Sequence, residues 1–259
     1  RDQPSLCGFE QLLPSAMGRL FEKEYCVLSE LMECPQRPCT FVLGGAKIAD
    51  AFLMMRAVLE AGAADYILTG GLVANILLFA AGKQIGQRSL DYIYKSNYGE
   101  YISKAKEMYK KYSENIVLPV DLAYTENDLR KEVLTEEIPE NAMITDIGQK
   151  TADIYQKYIK ESATVFVNGP MGVFEKEATE YGTKAVWEAL GDTKAYTVVG
   201  GGDSITATTK YGKTEKNSYI CTGGGALIRF LTGEELPVVK ALRYGAHVEE
   251  NHVKREEGK

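Results

Sequence analysis

Short, wholly apolar runs alternate along this chain with longer stretches whose apolar residues recur every three or four positions, the pattern of buried strands separated by helices. Thr40-Phe41-Val42-Leu43, Tyr66-Ile67-Leu68-Thr69, Thr164-Val165-Phe166-Val167 and Tyr196-Thr197-Val198-Val199 read as such strands, and so do 115–121, 142–145 and 219–222. Helical spacing runs over 15–34, where Met17, Leu20, Phe21, Val27, Leu28, Leu31 and Met32 share a face, with Ser15 as cap and Pro35 as stop. It returns over 48–60, 151–160 and about 178–190, while 72–81 is apolar nearly all round and reads as a core helix with no other role. Tyr98, Ile102, Ala105, Met108 and Tyr112 mark a solvated amphipathic helix despite its lysines. Residues 1–14 read as loop, and 122–141, charged and mixed, receive no assignment.

Strands that are apolar throughout and separated by helices cannot close into hairpins, so the pattern predicts an α/β fold: a Rossmann-like three-layer sandwich, its mainly parallel sheet of about six strands covered by helices on both faces. Four strands run straight into glycine pairs or triplets, at Gly44-Gly45, Gly70-Gly71, Gly200-Gly201-Gly202 and Gly223-Gly224-Gly225, and a fifth into Asn168-Gly169-Pro170-Met171-Gly172. Parallel strands bring all these ends to one edge, where open α/β sheets bind ligands.

Composition narrows the chemistry. The five cysteines form no CxxC pair and the two histidines, His247 and His252, stand in a charged tail, so neither a zinc pattern nor most histidine-based catalysis is available. Free thiols fit a reducing cytoplasm. A net charge of −6 argues against a nucleic-acid partner, and the longest apolar run, 76–81, is far short of the ~20 residues a membrane span needs, so no membrane partner is expected. No basic segment followed by an apolar one opens the sequence, and a soluble, cytoplasmic protein is the expectation.

Any one glycine turn reads equally as a tight turn, with Asp203 or Ser204 as an N-cap, and Lys47 alone as a solvated lysine. Gathered on one edge they suit a nucleotide. Backbone amides at Gly200–Gly202 and Gly223–Gly225 approach phosphate, Lys47 adds a positive charge, Asp203 a metal ligand, and Glu175 a partner for a ribose diol. Neither a G-x-x-x-x-G-K-[ST] loop nor G-x-G-x-x-G occurs, so the two common phosphate-binding fingerprints do not apply.

In order and spacing, Leu43-Gly44-Gly45-Ala46-Lys47, Asp146-Ile147-Gly148, 168–175, Gly200-Gly201-Gly202-Asp203-Ser204 and Thr222-Gly223-Gly224-Gly225-Ala226 resemble the phosphoglycerate kinase family, in its archaeal form, from Arg1 to about Leu242. The resemblance covers that family's C-terminal, nucleotide-binding domain. It implies four parts: 1–14 as a remnant of a substrate-domain loop, 15–34 as the interdomain helix, 35–236 as the nucleotide-binding domain and 237–259 as a tail. The family's N-terminal domain, which binds 3-phosphoglycerate, lies outside this chain. It further implies transfer of the acyl phosphate of 1,3-bisphosphoglycerate to ADP, reversibly, with Mg2+ accompanying ADP or ATP, and no turnover by this half alone.

The implied roles are specific. Lys47, Gly202 and Gly225 serve the phosphoryl group in flight, and Gly223, Gly224 and Gly225 face it as it migrates. Asp203 holds the metal, Ser204 with Gly201 and Gly202 holds the nucleotide phosphates, and Asn168 lies near them. Glu175 takes the ribose hydroxyls, while Gly45, Ala46, Gly70, Gly71, Pro170 and Val173 line the base and sugar pocket. Arg1 touches the substrate.

Three positions depart from the family pattern. Ala51 stands where many members carry a second nucleotide lysine, Gln149 where many have proline, and Tyr219 where many have a histidine that pairs with the glutamate matched here by Glu24. A non-catalytic nucleotide-binding or regulatory domain is the alternative reading, and an intact Lys47 and Asp203 weigh against it.

Overall fold

β1 (Cys39–Leu43) is buried at every position, as a central strand must be when both sheet faces are covered. With β2 (Tyr66–Thr69), β3 (Ile116–Val117), β7 (Thr164–Asn168), β8 (Tyr196–Gly200) and β9 (Ser218–Ile220) it forms a six-stranded, all-parallel sheet in the order β3-β2-β1-β7-β8-β9. The computed structural model describes residues 2–10, 12–212 and 218–246.

Alternate side chains of the strands feed two cores. Phe41, Leu43, Ile67, Phe166 and Val198 face α2 (Arg19–Glu33), α3 (Ile48–Glu60), α4 (Gly71–Ala80), α6 (Glu100–Tyr112) and α10 (Gly225–Leu231). Val42, Leu68, Val165, Val167 and Val199 face α7 (Gln149–Glu161), α8 (Tyr181–Asp192) and α9 (Gly202–Tyr211), where Trp187 is buried and donates from its indole N–H to Thr208 Oγ1 at 2.9 Å. The period-2 alternation of each strand thus builds the three layers expected. Among the described residues no helix is long and apolar enough to cross a membrane.

The structure departs from the sequence reading in four places. Residues 1–14 are not all loop, because Pro4–Cys7 is a short helix, α1, with proline pre-set at its first position. α2 starts at Arg19 behind Gly18, and Ser15 donates to the Leu13 carbonyl instead of capping it. An unread helix, α5 (Gln87–Lys95), precedes α6.

Most important, β4 (Asp121–Glu126) and β5 (Leu129–Leu134) form a hairpin through Asn127 and Asp128, both left-handed at φ 53° and 60°, and β6 (Ile144–Ile147) adds antiparallel on β4. The strand read over 142–145 therefore belongs to a second, three-stranded sheet in the order β5-β4-β6. Two left-handed residues in a two-residue loop match the twist of a hairpin, and Asn-Asp supplies them.

Residues 237–246 are helical, and the rest of the tail lies outside the described residues.

A candidate nucleotide cleft at the carboxyl edge of the sheet

The turns after β1, β2 and β7 are sewn together by their own backbones. Gly44 and Gly45 donate to the carbonyls of Asn168 (3.0 Å) and Pro170 (2.8 Å), Gly71 to that of Met171 (2.7 Å), and Leu72 to that of Gly45 (3.1 Å). Such close passage explains why glycine stands there. Gly169 adopts φ +96°, and a Cβ on it would fall 2.2 Å from the Gly44 carbonyl oxygen. The glycines at these three strand ends are therefore spent largely on packing one turn against the next.

Two other glycine turns stay open. β8 ends at Gly200 and α9 begins at Gly202, where an added Cβ would meet nothing within 4 Å; Gly224 and Gly225, after β9, are equally unobstructed. The first-turn N–H groups of α9 lack intrahelical partners and, with the helix dipole, favour an anion. Ser204 is fully buried, and its Oγ accepts the Gly169 N–H at 2.7 Å, so this hydroxyl braces the neighbouring turn. Asn168 stands against the same loop, since a Cβ on Gly201 would lie 2.6 Å from its Oδ1.

Lys47, at the N-cap position of α3, and Asp203, in the first turn of α9, meet across these turns, with Nζ 3.4 Å from Oδ2. Their side chains are 63% and 54% exposed, so the pair adds little to stability and stands open to a ligand. Beneath it lies a cleft of about 380 Å3. Of the residues singled out from sequence, Gly45, Ala46, Gly71, Pro170, Val173, Glu175 and Asp203 line it. Gly70 lies behind, where a Cβ would strike Met171, and Arg1 is outside the described residues.

The facing wall was legible in the sequence only in part. It comes from α4 (Leu72, Ala74, Asn75), α5 (Ser89, Tyr92), Leu122 of β4, Met143 and β6. The hairpin and α5 had not been recognised, and α4 had been given only a core role.

Asp146 anchors this wall. Its Oδ2 accepts from the Arg130 guanidinium (2.9 Å) and the Gly182 N–H (2.7 Å), while Arg130 also donates to the Ile147 carbonyl and stacks on Tyr181. Burial pushes the Asp146 carboxyl up to about 6, against the opposing pull of the Gly182 N–H and Arg130. Cys221, just ahead of the Thr222 turn, is pushed up to about 12 by burial and by Glu24, so it holds its proton and offers no thiolate.

A family model described as phosphoglycerate kinase matches residues 1–234. The chain belongs to the phosphoglycerate kinase family. It is 44% identical over 242 residues to the phosphoglycerate kinase of Methanothermus fervidus and 42% identical over 247 residues to that of Methanothermobacter thermautotrophicus. These alignments cover 93% and 95% of the chain but 59% and 60% of the relatives. The crystal structure of phosphoglycerate kinase from Pyrococcus horikoshii superposes with a TM-score of 0.87 at 38% identity, over 95% of this chain and 62% of that one. The chain thus spans about three fifths of the length of these phosphoglycerate kinases.

Two of the departures from the family pattern acquire structural content. Ala51 is buried on α3 at 6% exposure, and its methyl group joins the core beneath that helix. The N–H of Gln149 donates to Glu132 Oε2 at 3.0 Å, a bond that proline has no hydrogen to make.

Proposed function

We propose that this chain is the nucleotide-binding part of a phosphoglycerate kinase, holding ADP or ATP for reversible transfer of an acyl phosphate between 1,3-bisphosphoglycerate and the nucleotide. The observation that carries the reading is the meeting of Lys47 and Asp203, 3.4 Å apart and exposed, beside the cleft that Gly45, Pro170, Val173 and Glu175 line.

Phosphoryl transfer needs positioning and charge neutralisation more than covalent catalysis. In this reading the apolar cleft takes the base and Glu175 accepts from the ribose hydroxyls. The first-turn amides of α9 and the Gly223–Gly225 turn, open at Gly224 and Gly225, hold the phosphates, and Lys47 neutralises charge on the group in transit. A carboxylate beside an anion site is offset by cations, and Lys47 already stands 3.4 Å from Asp203. Asp203 suits Mg2+, which typically takes one or two carboxylates and completes its shell with phosphate oxygens and water. No group of three or more potential metal ligands occurs among the described residues, so the nucleotide itself supplies the remaining ones. Bound there, Mg2+ contributes charge neutralisation on the phosphates.

The 3-phosphoglycerate site belongs, in this reading, to the length of the relatives that the chain does not span. The division into loop remnant, interdomain helix α2, nucleotide domain and tail is part of the same proposal. Closure of the two halves would bring the substrates together and exclude water. Calorimetry of this chain with Mg-ADP and Mg-ATP tests the reading: binding without kinase turnover is expected, and no heat at millimolar nucleotide, or full turnover by this chain alone, overturns it. A version extended to the relatives' full length separates the kinase from a mere nucleotide binder, since only the kinase loses turnover on Lys47→Ala while still binding nucleotide.

A further inference from the structure

Lys210, Tyr211 and Glu180 gather around the carbonyl of Phe174, the residue before Glu175. That carbonyl accepts from Lys210 Nζ at 2.9 Å, and the Tyr211 hydroxyl lies 3.1 Å from it. Glu180, at the N-cap position of α8, completes the group, its Oε2 accepting from Lys210 Nζ and from the Tyr211 hydroxyl at 2.7 Å each. A tyrosine has one proton to give and an ammonium three, so Lys210 serves both acceptors at once while Tyr211 serves one at a time. Phe174 itself is buried, its ring edge-on to that of Tyr211 at 6.5 Å.

The carbonyl so held belongs to the peptide unit that joins Phe174 to Glu175. Because that unit is planar, fixing its oxygen also fixes the orientation of the Glu175 N–H and Cα. Glu175 has little else to hold it: it lines the cleft, but its side chain is exposed and makes no hydrogen bond or ion pair among the described residues. As an ion pair, Lys210 and Glu180 add little to stability, since their side chains are 42% and 21% exposed. Lys210 and Tyr211 stand in the last turn of α9 and Asp203 in its first, about 10 Å apart along the axis. One helix therefore runs from the phosphate end of the cleft to the loop that carries Glu175.

We propose that Lys210, assisted by Tyr211 and Glu180, is a positioning residue for Glu175, setting its carboxylate to receive the ribose hydroxyls of the nucleotide. This rests on the nucleotide reading above. Lys210 does not line the cleft and acts through the peptide plane. A carboxylate on a fixed backbone loses less freedom on accepting a pair of hydroxyls than one on a mobile loop. Without the ammonium the charge-assisted bonds to the ribose can still form, but the cost of ordering the loop is subtracted from them.

Calorimetric titration of the chain with Mg-ADP and with Mg-2′,3′-dideoxyADP, which lacks both ribose hydroxyls, tests this. The unaltered chain should bind ADP about tenfold or more tighter than the dideoxy compound, the scale of hydrogen bonds to a carboxylate. Lys210→Met keeps the apolar stem and removes the ammonium; it should weaken ADP binding about fivefold and leave that of the dideoxy compound within about twofold. In a Glu175→Ala background the same change should cost ADP less than about twofold, because nothing remains to be positioned. Lys210→Arg, which keeps the charge and donors, should retain most of the preference. Thermal unfolding checks each variant, and Tyr211→Phe, whose ring stays against Phe174, makes the comparison if Lys210→Met does not fold. Equal losses for both nucleotides, no loss for ADP, or an undiminished loss in the Glu175→Ala background overturns the role of Lys210 and leaves the nucleotide reading standing. No preference for ADP in the unaltered chain overturns the ribose role of Glu175 and that of Lys210 with it, and failure to bind either nucleotide overturns the nucleotide reading as well.

Discussion

Glu24 of α2 accepts hydrogen bonds from both the backbone N–H and the hydroxyl of Thr222, 198 positions further on, the hydroxyl contact at 2.9 Å. The glutamate thus holds the turn itself, while Tyr219 stands where many members of the family carry the glutamate's histidine partner. Tyr219 is buried, and its hydroxyl has no partner among the described residues. The contact ties the long N-terminal helix to the open Thr222-Gly223-Gly224-Gly225 turn, and Tyr25 packs edge-on against Phe230 at 5.2 Å beside it. Replacing Glu24 by alanine should cost about 1 kcal/mol, the scale of a hydrogen bond to a charged group near solvent. Chemical denaturation measures that loss, and Glu24→Gln, which keeps an acceptor, should recover part of it.

Lys47 and Asp203 form a pair whose worth lies in ligand binding. Lys47→Ala should change stability by no more than about 0.5 kcal/mol, because both side chains are exposed. Its nucleotide affinity should fall by about tenfold, the scale of a lost charge-assisted contact. Denaturation and calorimetry on one preparation check both; a large stability loss with unchanged affinity would reverse the assignment.

The glycines divide into two kinds, and alanine separates them. At Gly169, where φ is +96° and a Cβ would fall 2.2 Å from a carbonyl oxygen, alanine should destabilise by more than about 2 kcal/mol. Gly202 is helical and unobstructed, so Gly202→Ala should leave stability unchanged or raise it by about 0.5 kcal/mol. The new methyl group would nevertheless stand where phosphate approaches the amides, and nucleotide affinity should drop about fivefold or more. Thermal unfolding paired with titration resolves the two cases.

Asp146 makes stability depend on pH in a direction opposite to that of an ordinary ion-paired carboxylate. Its folded value, about 6, lies above the reference 3.8, so the native state holds the proton more tightly than the unfolded chain. The favourable contribution is complete below about pH 4 and is lost as the pH rises through 6, amounting to roughly 3 kcal/mol by pH 7. Relative to Asp146→Asn, the unaltered protein should therefore lose stability between pH 4 and 6. Denaturation midpoints for the two proteins across that range give the comparison, and parallel curves would show that Asp146 titrates as an exposed carboxylate.

How far the letters alone reach differs between the two walls of the cleft. The sheet wall was legible: four apolar strands with glycine-rich ends, and the order of turns around Lys47, Pro170, Glu175 and Asp203, follow from local pattern and from the parallel pairing that such strands require. The facing wall was legible only in part: its hairpin and α5 were not. β5 has no buried position and its apolar residues, Leu129, Val133 and Leu134, do not alternate strictly, so its period-2 signal is weak, and the Asn127-Asp128 turn is a quieter hairpin marker than Asn-Gly. Asn75 was given no role of its own because a single amide in an apolar helix gives no periodicity to read.

Sequence by itself determined the layers, the parallel sheet and the common edge, because hydrophobic period and glycine punctuation are local properties that survive in one dimension. Tertiary structure alone decided which glycines pack turn against turn and which remain open, that Ser204 braces Gly169, and that Glu24 finds Thr222. It also decided that a buried amide on α4 shares a cleft with a carboxylate on α9. Each of those is a distance between residues far apart along the chain, set only when the backbones of separate turns close to within a hydrogen bond of one another.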